Sequence, residues 1–354
     1  MRKQITTAVA LLLNSSSAQD PYMDTKAPDN LINDPNGLAG PAPCLDYMNG
    51  IWSGEIKTGD FHAVHGMQAK SDGGLYAAGS GTVWGRDQDR EGVIVKVMEC
   101  PTQTKKYSEW GPNQEGCNQY AWVAKFAIPG KKVEANWVAE SPDGSYIIGV
   151  GFEENEEGMP DQAVWKLDAK TGALIWTYKF NSGYSDGLET VAFAPDGSLY
   201  VGGFAGASIP ASDLRFKSAG QVLEGRPFVG KISAEDANGS SAPIGYEWLK
   251  HFGGDGYKGS AKTLRVEAGT GNIVAVAGSR AAVLKFSPAG DVLMKTGELE
   301  PNMQVMDIDV HPDGGYMLGG LRFAPEIAAT MLKVGPDGTK QWVKTYGNYP
   351  GGLN

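Results

Sequence analysis

Asp307 and Asp309 stand two apart in the segment Met306-Asp307-Ile308-Asp309-Val310. Apolar and acidic residues alternate there, which predicts a β-strand, and on a strand residues i and i+2 share a face. Two carboxylates on one face can bind a cation such as calcium, or work as an acid–base pair. They can equally be solvated or locally hydrogen-bonded. The second reading is favoured, because the matching pairs in the rest of the chain are Gly66 and Gln68, Trp137 and Ala139, Thr190 and Ala192, and Leu264 and Val266. No set of ligands converges with the two aspartates, and no residue is assigned a catalytic or cofactor-binding role.

Other reactive residue types are sparse. His62 and His65 are three apart. That spacing would share a helix face but points to opposite sides of a strand, so a joint metal site is not expected. Five lysines, Lys96, Lys166, Lys231, Lys285 and Lys333, fall in one column of the repeat described below. Such a ring could hold an anion; the structural reading packs each stem and leaves its head in water. The run Glu153-Glu154-Asn155-Glu156-Glu157 has its glycine, Gly158, too late for a calcium loop, and is expected to be a solvated loop. Of three cysteines, Cys100 and Cys117 are candidates for a local disulfide around a polar excursion, which leaves Cys44 without a partner. Neither pattern supplies the activating neighbour a reactive thiol needs. Asn238-Gly239-Ser240 is a sequon in an expected loop, so Asn238 is a candidate for N-glycosylation in a eukaryotic source.

The elements that must position these residues repeat. Ser-Pro-Asp-Gly-Ser-Tyr at 141–146 returns as Ala-Pro-Asp-Gly-Ser-Leu at 194–199 and His-Pro-Asp-Gly-Gly-Tyr at 311–316, with looser copies at 71–75 and 269–273. Each copy is a tight turn between two short strands, with Gly free to take a positive φ and, in the three close copies, Pro presetting the turn. A third strand follows and ends in the column lysine. A fourth opens with tryptophan at Trp122, Trp176, Trp248 and Trp342, with Met294 in that place in the fourth repeat. Four short strands per repeat predict an all-β fold, a β-propeller of four-stranded blades with five repeats visible. The tryptophans offer apolar area to stack one blade on the next.

These residues also carry a resemblance. Phe252-Gly253-Gly254-Asp255-Gly256-Tyr257, Gly271-Asn272-Ile273-Val274 and Val283-Leu284-Lys285-Phe286-Ser287-Pro288-Ala289-Gly290 resemble the bacterial propeller repeat called SBBP, and the Pro-Asp-Gly hairpin resembles that of delta-60 repeats. The resemblance covers about residues 52–347 and implies a propeller fold. One segment, Leu167 to Trp176, is similar to the tryptophan-docking motif of quinoprotein propellers.

Ile51-Trp52-Ser53-Gly54-Glu55-Ile56 resembles a fourth strand with no first three before it. Further repeats would complete its blade, or five blades close and leave a strand to spare. The expected divisions are a signal peptide at 1–18, an extended leader or strap at 19–50, propeller repeats at 51–350 and the start of a further repeat at 351–354. Arg2 and Lys3, the apolar stretch Ala8 to Leu13 and the small residues Ser16-Ser17-Ala18 carry the signal-peptide reading. No other stretch approaches the length of a membrane span.

The formal net charge is -10, and no basic run is longer than pairs such as Lys105-Lys106 and Lys131-Lys132, which argues against a nucleic-acid partner. Loops between strands two and three vary most. The longest holds Ile209, Leu214, Arg215 and Phe216, a candidate contact surface for protein or glycan partners or for self-association. The function expected is a secreted or cell-surface binding or structural module without enzymatic activity. The alternative is a propeller enzyme, either a quinoprotein-like oxidoreductase or a hydrolase or lyase working at the channel mouth.

Overall fold

A computed structural model describes residues 61–69, 75–82, 90–97, 120–181, 185–207, 226–242, 245–252, 259–277, 281–324 and 327–346. They form five four-stranded sheets, each strand antiparallel to its neighbour and following it in sequence. Blade one holds β1 (Phe61–Ala69), β2 (Leu75–Thr82), β3 (Arg90–Val97) and β4 (Tyr120–Phe126). Blade two holds β5 (Val133–Glu140), β6 (Tyr146–Glu154), β7 (Pro160–Asp168) and β8 (Leu174–Phe180). Blade three holds β9 (Ser185–Phe193), β10 (Leu199–Ala207), β11 (Arg226–Ile232) and β12 (Trp248–His251), with a one-turn helix α1 (Ala234–Asn238) between its last two strands. Blade four holds β13 (Ala261–Val266), β14 (Ile273–Ala277), β15 (Ala282–Phe286) and β16 (Val292–Lys295). Blade five holds β17 (Met303–Val310), β18 (Tyr316–Arg322), β19 (Ala328–Val334) and β20 (Lys340–Tyr346). The described residues form a β-propeller of five four-stranded blades. Its inner strands pack in the order β1, β5, β9, β13, β17.

The four largest apolar clusters lie between adjacent blades. Tyr76, Ile94 and Trp122 of blade one cluster with Ile147, Trp165 and Leu167 of blade two. Blade two presents Ile148, Val164 and Trp176 to Leu199, Val201 and Phe228 of blade three. The physical reason is simple: a lone sheet has two apolar faces and can cover neither without a neighbour.

One feature of every blade is not visible in the repeat. Each inner strand carries a β-bulge, between Val64 and Gly66, Ala135 and Trp137, Leu188 and Thr190, Ala261 and Thr263, and Val305 and Asp307. In blades two, three and five the bulge brings backbone so close to strand two that the residue opposite is glycine, while blade four has Ala277 there. A Cβ on Gly151 would lie 1.8 Å from the carbonyl oxygen of Glu134, and one on Gly320 would lie 2.0 Å from that of Gln304.

α1 departs from the loop expected around Asn238. Ser233 accepts a hydrogen bond from the Asp236 amide and caps the turn, and Asn238 is its last residue.

Candidate functional site

The bulges set the chemistry at the centre of the ring. An extra residue re-aims its side chain, and the five bulged residues are His65, Asn136, Glu189, Lys262 and Met306. Four of them tie blades together. Asn136 Nδ2 donates to the Leu188 carbonyl at 2.7 Å, and Lys262 Nζ lies 2.8 Å from Glu189 Oε2. His65 Nε2 is 3.3 Å from Glu134 Oε1, whose second oxygen accepts from Arg90 Nη1 at 2.6 Å. Met306 is exposed.

The residue after each bulge is Gly66, Trp137, Thr190, Thr263 or Asp307. Here the structure corrects the register of the fourth repeat. The partners of Asp307 and Asp309 in blade four are Thr263 and Arg265, not Leu264 and Val266, because Thr263 pairs Val276 as Asp307 pairs Gly319. The cause lies in the first hairpin. Residues 267–272 separate the ladder partners Val266 and Ile273, whereas only 311–315 separate Val310 and Tyr316.

Asp307 is fully engaged. Its Oδ1 accepts from Thr263 Oγ1 at 2.9 Å and from the Ile308 amide at 2.9 Å. Arg265 Nη2 donates to both carboxylate oxygens, at 2.6 and 2.8 Å. The same guanidinium lies 5.4 Å from the ring centroid of Trp137, which belongs to blade two. A Cβ on Gly66 of blade one would meet that indole at 2.6 Å. Four blades thus meet around Trp137 and Arg265. Asp309 accepts from the Val310 amide at 2.9 Å and does not share a ligand with Asp307. Among the described residues no group of three or more His, Cys, Asp or Glu side chains could hold a metal ion. Arg265 gave no signal in the sequence, because the one-residue shift hid it behind Leu264.

The column lysines do not leave their heads in water. Lys166 is buried, and its Nζ donates to the carbonyls of Ala237, Asn238 and Gly239 at 2.8, 2.9 and 3.0 Å. It also lies 3.8 Å from the centroid of the Tyr146 ring. Burial pulls the Lys166 ammonium below its ordinary range, and the Asp143 charge opposes that. Lys96 donates to the Ala169 carbonyl at 2.7 Å. Lys231, Lys285 and Lys333 pair with Glu247, Glu267 and Asp313 of their own blades. The Lys333 bond holds the Asp313 carboxyl well below the usual carboxylate range.

The acidic run is likewise more ordered than a solvated loop. Glu153 is buried and accepts from Trp165 Nε1 at 3.2 Å, Glu154 accepts from the Lys132 amide at 3.1 Å, and Asn155 accepts from the amides of Glu157 and Met159. Asn238 is exposed. His62 is on β1, with its side chain outside the described residues. Cys44, Trp52, Cys100, Cys117, Ile209, Leu214, Arg215, Phe216 and the signal segment also lie outside them.

The tryptophan column shows a directional docking pattern. Trp122 Nε1 donates to the Ala169 carbonyl of blade two at 3.2 Å, Trp176 Nε1 to Gly239 of blade three at 3.1 Å, and Trp248 Nε1 to Pro288 of blade four at 3.1 Å. Each acceptor sits between strands three and four of the following blade. Gly172, at φ 72°, clears the space for Trp122, so the segment similar to a tryptophan-docking motif does receive a tryptophan. Met294 packs in the same way against Gly338 of blade five. Among the described residues the series stops at blade five. Trp342 is 37% exposed and Tyr346 51%, where Trp122 and Trp176 are 8% and 6%. Leu321, also exposed, shares that face, since it pairs Ala329 and Ala329 pairs Tyr346.

No protein-family model and no curated protein matches the sequence. The chain is similar to several solved structures. A virginiamycin B lyase from Staphylococcus aureus is 10% identical, with 82% of this chain and 73% of that one covered and a TM-score of 0.42. A quinohemoprotein alcohol dehydrogenase from Pseudomonas putida HK5 is 11% identical, with 76% and 52% covered and a TM-score of 0.44. BamB from Moraxella catarrhalis is 12% identical, with 81% and 66% covered and a TM-score of 0.39. No helix among the described residues is long and apolar enough to cross a membrane.

Proposed function

We propose that this protein is a secreted or cell-surface propeller that acts as a non-enzymatic binding and structural module. The observation that carries the reading is the outward face of blade five, where Trp342, Tyr346 and Leu321 stay exposed while the corresponding faces of blades one to four are covered. Exposed aromatic side chains on a rigid sheet are the residue types enriched in interface anchors. The chemistry of the missing occupant follows from the other four interfaces. Trp342 offers an indole N–H to a backbone carbonyl at a β-hairpin turn, as Trp122 offers one to Ala169. The partner is therefore a protein that presents a β-hairpin, and a further copy of this repeat has that shape. The likeness of the repeats to the SBBP and delta-60 types belongs to the same reading, as does export by the N-terminal segment.

A channel-mouth enzyme would need a carboxylate available to substrate. Asp307 instead accepts from Arg265 and Thr263, and Asp309 from its own strand. The test is sedimentation velocity over a range of concentrations, with chemical cross-linking, on the protein and on a Trp342→Ala/Tyr346→Ala variant. Reversible association that the double substitution weakens is expected. A monomer at every concentration, cross-linked to nothing, would overturn the proposal.

A further inference from the structure

Blade one has an apolar face that no described element of another blade covers. Ala77 on β2 and Val93, Val95 and Val97 on β3 are all buried, and among the described residues the cluster they form holds only blade-one side chains, Val64, Met67 and Leu75 among them. The ladder position of the column lysine identifies this face. Lys96 corresponds to Lys166, so Val93, Val95 and Val97 correspond to Ala163, Trp165 and Leu167 of blade two. In blade two that face receives the fourth strand of blade one. Trp122 clusters there, and Phe126, four residues on, stacks on Trp165 with ring centroids 4.7 Å apart. The closely packed inner-strand pairs end at β13 with β17, and β17 is not so packed against β1.

One segment of the chain has the matching pattern. Ile51-Trp52-Ser53-Gly54-Glu55-Ile56 places an apolar residue four positions after tryptophan, as do Trp122 and Phe126, Trp176 and Phe180, and Trp248 and Phe252. The connection also has the right length. Residues 57–60 join this segment to β1, just as residues 181–184 join β8, the fourth strand of blade two, to β9. We infer that residues 51–56 dock on the Val93–Val95–Val97 face of blade one as the outermost strand of a preceding blade. Trp52 takes the place that Trp122 takes on blade two, and Ile56 takes that of Phe126. The N-terminal side of the propeller is then held by a strand whose own inner edge is free to pair, while blade five keeps its aromatic face. This inference does not depend on the proposed function, since it concerns the opposite end of the blade series.

Disulfide trapping tests it on the full chain, with Cys44, Cys100 and Cys117 replaced by serine. Ile56→Cys with Val95→Cys is expected to cross-link under mild oxidation, and Tyr346→Cys with Val95→Cys is not. A cross-link from the Tyr346 position would mean that blade five closes directly on blade one, and would overturn the inference. A second measurement avoids engineered cysteines. Trp52→Ala in the otherwise native chain is expected to raise the binding of an apolar dye such as ANS several-fold by uncovering the valine face. Unchanged dye binding would also overturn the inference.

Discussion

The docking of Trp122 on Gly172 allows a quantitative prediction, because the chain contains its own control. Gly172 has φ 72°, and a Cβ there would lie 2.5 Å from Trp122 Cδ2. Gly144 has φ 71°, and the nearest atom to its Cβ would be Glu140 Oε1 at 3.9 Å. Alanine at a left-handed position costs about 1–2 kcal/mol at either site. The clash with the indole adds about 1–3 kcal/mol at Gly172 alone, as overpacking does elsewhere. Gly144→Ala should therefore destabilise by about 1–2 kcal/mol and Gly172→Ala by about 2–5 kcal/mol. Trp122→Ala by itself should cost about 3–5 kcal/mol. In the Trp122→Ala background the ring is gone, and Gly172→Ala should fall back to the cost seen at Gly144. Urea unfolding followed by circular dichroism on the four variants of the cycle gives the coupling directly. If Trp122→Ala and Gly172→Ala add within about 0.5 kcal/mol, the indole and the glycine are not in contact and the docking argument fails.

Other substitutions have distinct signatures. Lys166→Met leaves three carbonyls around the end of α1 without their cation, and should cost about 2–3 kcal/mol of stability in urea unfolding, since Ala237 is buried while Asn238 reaches water. Asp307→Asn should cost only about 1 kcal/mol or less in thermal unfolding, because the Arg265 pair is partly exposed and screened. The turn aspartates Asp143, Asp168, Asp196, Asp313 and Asp337 all have lowered pKa values, held down by bonds from Ser141, Thr171, Ser198, Lys333 and Thr339 respectively. A folded value below the unfolded one gives stability that is present above about pH 4 and lost as pH falls below it. Thermal melts from pH 6 to 3 should show that loss, and Asp313→Asn should flatten it.

Much of the fold is readable because each repeat writes it again. Pro-Asp-Gly, the column lysine and the strand-four tryptophan recur at fixed offsets, and each is required locally, by a turn or by an inter-blade contact. The centre of the ring was harder to read for two physical reasons. A β-bulge is a property of the ladder between two strands, so nothing in Ala135-Asn136-Trp137 alone says that Asn136 will turn toward blade three. The fourth repeat also carries an extra residue before its hairpin glycine, which moved Arg265 out of the column that holds Asp309. The lysines show a third limit. Their spacing marked them as structural, but only the positions of the 167–173 turn and of α1 show that Lys96 and Lys166 bond to the next blade.

The central claim is that tryptophan docking runs from each blade to the next and stops at blade five. Hydroxyl-radical footprinting with peptide mass mapping reads it residue by residue in the native protein. At low protein concentration Trp342 and Tyr346 should be modified rapidly, while Trp122 and Trp176 resist until the protein unfolds. Equal protection of Trp342 and Trp122 in the monomer would show that blade five is already covered, and would contradict the claim.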